Sequence, residues 1–229
     1  MRELKNIDLI NYCMIQVKRM KELFIKRKTL STALGAVTYH YQAAAPGQTT
    51  VLFISGFGWN STYYNFKHLM DQLPVGVGQL AVDTIGTGES VRTNMVRSVN
   101  NILQNLHAVL HHEQVTNVLI LGHSLGGVYA RLYQLRHPSE VTGLLLLEPP
   151  YSAMAPMLQT QVLGLIANYK QIAIQKRSGQ LTAVKFINDV CPLNTPAEQL
   201  HNANIYFNAY GSRSVLSEAQ LTSSLVAQM

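Results

Sequence analysis

The segment Leu121-Gly122-His123-Ser124-Leu125-Gly126-Gly127 holds the residues best suited to chemistry. An apolar run, Asn117-Val118-Leu119-Ile120-Leu121, precedes it, and a helical pattern marked by Tyr129, Leu132, Tyr133 and Leu135 follows. A G-x-S-x-G turn between a strand and a helix lifts the serine hydroxyl above a sheet and sets the helix N-terminus behind it. The flanking glycines let the helix pack close to the strand. The chemistry this suggests is nucleophilic attack by Ser124 on an acyl carbon. A serine is a weak nucleophile near neutral pH and needs a base, itself oriented by a carboxylate. The tetrahedral intermediate also needs backbone N–H donors aimed at its oxyanion.

Two further segments lie where strands end. Ser55-Gly56-Phe57-Gly58 follows Val51-Leu52-Phe53-Ile54, and Asp83-Thr84-Ile85-Gly86-Thr87-Gly88-Glu89-Ser90 follows Gln79-Leu80-Ala81-Val82. With the Ser124 turn, these resemble the α/β-hydrolase fold family over roughly residues 29–150. That family usually carries His-Gly-x-Gly at the first place and D-x-x-G-x-G-x-S at the second. Ser55 departs from the pattern. The resemblance implies that the backbone amides of Phe57 and Leu125 form the oxyanion hole. It also implies that the acid and then the histidine follow the serine in the chain.

Asp83 precedes the serine and reads as a loop-shaping acid. Glu148, at the end of the strand after the elbow, is the acid candidate, although the usual position is one strand later. Beyond Ser124 the only histidines are His137, before a proline, and His201, in a later helical region. Neither follows a strand. His107, His111 and His112 fall near the end of a helix, and the i,i+4 pair His107/His111 lacks a third ligand, so it reads as surface. His123 supports the elbow, and His40 and His68 read as structural.

The elements that must position these residues follow from hydrophobic period. Residues 36–42 are rich in β-branched and aromatic side chains. The runs at 51–54, 79–82, 117–121 and 143–147 are apolar on both faces, as in a parallel sheet covered by helices. Val99, Ile102, Leu103, Leu106, Val109 and Leu110 mark the buried face of a helix over about 96–111. Alternation at this spacing predicts a doubly wound α/β sheet. After Pro149-Pro150 only helices are predicted: 156–175, 180–190, one starting at the Thr195-Pro196-Ala197-Glu198 capping box, and one from about Ser214. This part resembles the family's helical lid. The expected domains are a basic amphipathic N-terminal helix in 1–28, a hydrolase core in 29–150 and a lid in 151–229.

No strand pattern follows the lid before Met229. The sheet is therefore expected to be C-terminally incomplete, lacking the acid- and histidine-bearing strands, on the order of 50 residues. That expectation carries impaired turnover and an unprotected sheet edge.

Composition narrows the remaining classes. The 229 residues are 47% hydrophobic and 13% charged, as in a globular chain. Of the net charge of +6, residues 1–28 hold +5, which leaves no basic stripe on the body for nucleic acid. Cys13 and Cys191 have no metal or redox spacing and read as reduced thiols. There is no 18-residue apolar run and no signal peptide, so a cytoplasmic chain is expected. Ile7, Ile10, Met14, Val17, Met20 and Phe24 line one face of a helix over 3–26, which is expected to lie against the body or extend from it, with a peripheral membrane contact as the alternative. The function expected is hydrolysis of a small acyl substrate, as an esterase, thioesterase or peptidase, without cofactor or metal. The alternative is a non-catalytic hydrolase-fold protein that binds an apolar ligand or another chain.

Overall fold

The computed structural model describes residues 25–58, 61–90 and 95–226. The expected N-terminal helix and Cys13 lie outside the described residues. The chain runs β1 (Lys26–Thr32), β2 (Gly35–Gln42), β3 (Thr50–Ile54), α1 (Thr62–Met70), β4 (Gly78–Asp83), α2 (Val99–His112), β5 (Val118–His123), α3 (Leu125–Arg136) and β6 (Val141–Leu147). Helices then take over: α4 (Ala155–Arg177), a 3-10 helix at Ala183–Asp189, α5 (Pro196–Ala209) and α6 (Arg213–Val226).

The six strands form one sheet in the order β1-β2-β4-β3-β5-β6. β4, β3, β5 and β6 are mutually parallel, while β1 and β2 join as an antiparallel hairpin. From β3 the chain goes outward to β4, then crosses back to β5 on the other side. The connections therefore diverge between β3 and β5, leaving a crevice beyond their C-terminal ends.

Alternation along the strands divides the core. Leu52, Ile54, Leu80, Val82, Val118 and Ile120 pack against Ile102, Leu106 and Val109 of α2 and Val128, Tyr129 and Tyr133 of α3. Val51, Phe53, Ala81 and Leu121 face the other way, onto Met70 of α1. A second apolar cluster joins Val162 and Tyr169 of α4, Phe186 of the 3-10 helix, Ala203 and Ala209 of α5, and Val215 and Ala219 of α6. The main core reaches Leu225 and Val226, so α6 packs on both clusters.

Two boundaries differ from the sequence reading. Lys26, Arg27 and Lys28 begin β1 rather than belonging to a basic helix, and they pair with Tyr41, His40 and Tyr39. Lys28, partly exposed, reaches across the sheet edge, where its Nζ lies 2.7 Å from Glu113 Oε2 and 5.0 Å above the Tyr41 ring. Within the helix expected over 180–190, only Ala183–Asp189 is helical, as a short 3-10 helix, after Gly179 ends α4 in the left-handed region (φ 71°). β6 is the last strand of the sheet on its side, and Leu145, Leu146 and Leu147 are exposed. No helix among the described residues is long and apolar enough to cross a membrane.

Candidate active site

Ser124 joins β5 to α3 with φ 50° and ψ −126°, a backbone conformation strained for a non-glycine residue. Its N–H donates to the Leu147 carbonyl at 2.8 Å, and its own carbonyl accepts from Gly127 N–H at 2.8 Å. Gly126 makes this turn possible. A Cβ there would stand 2.3 Å from the Ile54 carbonyl oxygen, so α3 starts in direct contact with the end of β3. The helix N-terminus, with its partial positive charge, points into the β3/β5 crevice.

Above the turn lies a cavity of about 170 Å³. Phe57, Ser124, Leu125 and Glu148 all line it, so the nucleophile candidate, both oxyanion candidates and the acid candidate share one space. Its other walls include Leu158, Val162 and Leu165 of α4 and Ala219 and Thr222 of α6. Glu148 is itself held at positive φ (48°), just before Pro149. Among the described residues, neither the Ser124 hydroxyl nor the Glu148 carboxylate makes a hydrogen bond.

The histidines do not converge on Ser124. His201 is exposed on α5, with Nε2 3.2 Å from Glu89 Oε1 and its ring edge-on to Tyr64. His40 is buried and stacked on Tyr63 at 3.9 Å. Burial lowers its pKa to about 4, with Glu89 pulling it back up and Arg27 and His201 pushing it further down. His123 lines a smaller recess that Ser124 shares with it, together with Ser55, Gly56, Phe57 and Asn65, but no hydrogen bond joins its ring to the Ser124 hydroxyl among the described residues. His68 is on α1, its Nε2 buried. His111 and His112 are exposed at the end of α2. His107 and His137 stack beside Glu140 at the opposite end of the sheet, so His107 groups with these two residues rather than with His111.

Asp83 has the loop-shaping geometry expected of it. Its carboxylate accepts from Thr62 N–H at 2.6 Å, at the start of α1, and from Glu89 N–H at 2.8 Å. Burial nevertheless raises its pKa to about 7, against the pull of those two amides.

One buried network was not legible in the sequence. Arg97 Nη2 donates to Glu218 Oε1 at 2.9 Å, and the Tyr129 hydroxyl donates to the same oxygen at 2.8 Å. Arg97 Nη1 also donates to Thr84 Oγ1 at 3.0 Å and to the Ile85 carbonyl. Burial and the neighbouring Glu218 raise the Tyr129 pKa well above its ordinary value, so Tyr129 remains a donor. The network fixes α6, one wall of the cavity, to α3 and to the loop after β4.

Residues 45–195 match the family model described as serine aminopeptidase, S33. The chain is 34% identical over 117 residues to protein phosphatase methylesterase 1 of Candida albicans, covering 48% of this chain and 31% of that protein. It is 29% identical over 119 residues to the probable lysophospholipase BODYGUARD 1 of Arabidopsis thaliana, covering 49% and 25%. The matched stretch thus spans less than a third of either relative. Haloalkane dehalogenase DatA of Agrobacterium tumefaciens superposes with a TM-score of 0.65 at 17% identity, covering 88% of this chain and 72% of that one. A hydrolase from Pseudomonas aeruginosa gives 0.60 at 18% identity, with the same coverage. At these identities the likeness to solved structures concerns the fold alone. The family match extends over well more than half of the 229 residues and the sheet has the matching architecture, so the chain belongs to the α/β-hydrolase family.

Proposed function

We propose that Ser124 is the nucleophile of an acyl hydrolase, attacking an ester, thioester or amide to form an acyl-Ser124 intermediate. The observation that carries this reading is a strained serine at a helix N-terminus, opening on an apolar cavity at the sheet's switch point. In the proposed step the Ser124 Oγ bonds to the acyl carbon, and the proton leaves Oγ for a base. The carbonyl electron pair moves onto oxygen, where the N–H groups of Phe57 and Leu125 receive it. Glu148 is the carboxylate nearest in role to a triad acid. Among the described residues no imidazole hydrogen-bonds Ser124, so turnover by these residues alone is expected to be slow. Two relatives are named a methylesterase and a probable lysophospholipase, which makes ester cleavage the reaction to try first. The cavity, about the size that accepts benzene, suits a short acyl group, and the helices α4 to α6 would act as its lid.

A second reading keeps the cavity and drops the reaction. Among the described residues the Ser124 hydroxyl has no base, while the cavity walls are mainly apolar, as in a site that binds a small apolar ligand. A fluorophosphonate probe separates the two. The first reading expects a stoichiometric mass addition at Ser124 that Ser124→Ala abolishes. Absence of addition to a folded chain rejects the nucleophile and leaves the binding reading.

A further inference from the structure

We propose that His107, His137 and Glu140 form a binding site for a divalent transition-metal ion of the zinc class, clamping the end of α2 to the connection between α3 and β6. His107 comes from the last turns of α2, His137 follows the end of α3, and Glu140 stands one residue before β6. Their donor atoms all lie within 4.8 Å of one another. His107 Nδ1 is 3.4 Å from Glu140 Oε1, and His137 Nδ1 is 3.5 Å from the same oxygen. Ligands at about 2.0–2.2 Å from a tetrahedral zinc are separated by about 3.3–3.6 Å. Two edges of the tetrahedron therefore already have their bound length.

The surroundings fit a metal site as well. The two imidazoles stack with centroids 4.4 Å apart and planes 12° apart, both presenting Nδ1 to the same carboxylate oxygen, so a shared ion requires one ring to turn out of the stack until both lone pairs meet it. The Tyr133 hydroxyl donates to Glu140 Oε2 at 2.6 Å, which leaves Oε1 for the ion and supplies an outer-shell partner. Tyr133 also contacts His107 Nδ1 at 3.2 Å, a contact that the metal would replace. His111, one turn along α2, lines the adjoining open recess with His107, Ser139 and Glu140. It can provide a fourth ligand, with water as the other candidate. The mixed imidazole and carboxylate donors favour zinc and its neighbours over calcium or magnesium, which prefer oxygen alone.

The parallel strands place this cluster at their N-terminal ends and Ser124 at their C-terminal ends. The ion is accordingly structural rather than catalytic. It would tie together two connections whose displacement tilts α2 and α3 against the sheet.

Calorimetric titration of the metal-stripped chain with Zn²⁺ tests the proposal. One ion per chain is expected, weakened at least tenfold by His107→Ala/His137→Ala and by Glu140→Gln, the latter preserving shape and the Tyr133 contact. His112→Ala, on the exposed side of the same helix, leaves the affinity unchanged. A Zn²⁺ concentration of a hundred times Kd raises Tm by about 5–10 °C in the parent chain, and this shift disappears in Glu140→Gln. Tetrahedral Co²⁺ absorption that changes in His111→Ala assigns the fourth ligand. No zinc binding, or equal binding by the parent chain and both ligand variants, overturns the site.

Discussion

Glu218→Gln removes one charge from the Arg97 network and leaves the shape of the side chain intact. Both partners are almost wholly buried, with side-chain exposures of 4% for Arg97 and 1% for Glu218. In the variant, the guanidinium keeps two neutral acceptors, Thr84 Oγ1 and the Ile85 carbonyl, but has no counter-charge. Breaking a buried ion pair from one side costs about 3–5 kcal/mol. Because Gln can still accept one hydrogen bond, the lower part of that range applies, about 3 kcal/mol. For a chain of this size that lowers Tm by roughly 6–12 °C. The loss comes from a stranded charge, so removing the second charge should restore most of it. Arg97→Met/Glu218→Leu, combined with Tyr129→Phe so that no hydroxyl is orphaned, is expected within about 1–2 kcal/mol of the parent chain. Urea unfolding followed by circular dichroism measures each corner of the cycle. A cost below about 1 kcal/mol for Glu218→Gln, or single-variant costs that simply add, would refute the assignment of α6 to this buried pair.

Two other perturbations bear on the site and its supports. Gly126→Ala places a methyl 2.3 Å from the Ile54 carbonyl, and neither backbone can yield without moving α3 from β3. A loss of at least about 1–3 kcal/mol is expected, and an unchanged urea midpoint would contradict the contact. His40→Phe probes pH. The folded pKa of His40, about 4, lies below its ordinary 6.5, so the unfolded chain takes up the proton first as pH falls. Stability is full above pH 6.5 and is lost towards pH 4. His40→Phe keeps the stack on Tyr63 and should flatten the fall in urea midpoint between those pH values; parallel pH profiles would show that His40 is not the titrating group.

The strand–turn–helix geometry at Ser124 was legible because its signal is local: glycines at fixed offsets between an apolar run and a helical period. The five strands from β2 to β6 were legible for the same reason. β1 was not, because three cations open it and only one of its edges is paired; its period-2 alternation is hidden within a basic run. The 3-10 helix at 183–189 carries apolar residues that suit a longer helix, but Gly179 and Pro192 bracket it and its packing is set by α5. Arg97 and Glu218 are 121 residues apart, so no window of sequence connects them. His137 and Glu140 sit three apart and could be paired by eye, whereas His107 joins them only because α2 and α3 pack side by side.

Ser124 has a backbone that glycine would adopt more easily, and that conformation costs of order 1–3 kcal/mol. The turn persists because its surroundings over-determine it: Gly126 pressed on β3, the Ser124 N–H bound to β6, and α3 packed into the main core. None of those constraints uses the hydroxyl. A glycine would meet all of them with less strain, so the side chain itself is what the strain maintains. The hydroxyl faces a cavity whose far walls belong to α4 and α6, and α6 is held there by Arg97 and Glu218. Under the proposed function, the elbow would fix where an acyl carbon is attacked, and residues 155–226 would fix which acyl group fits. Substitutions at Leu158 or Val162 should change acyl-chain preference and leave probe reactivity at Ser124 intact, and substitutions at the elbow should do the reverse.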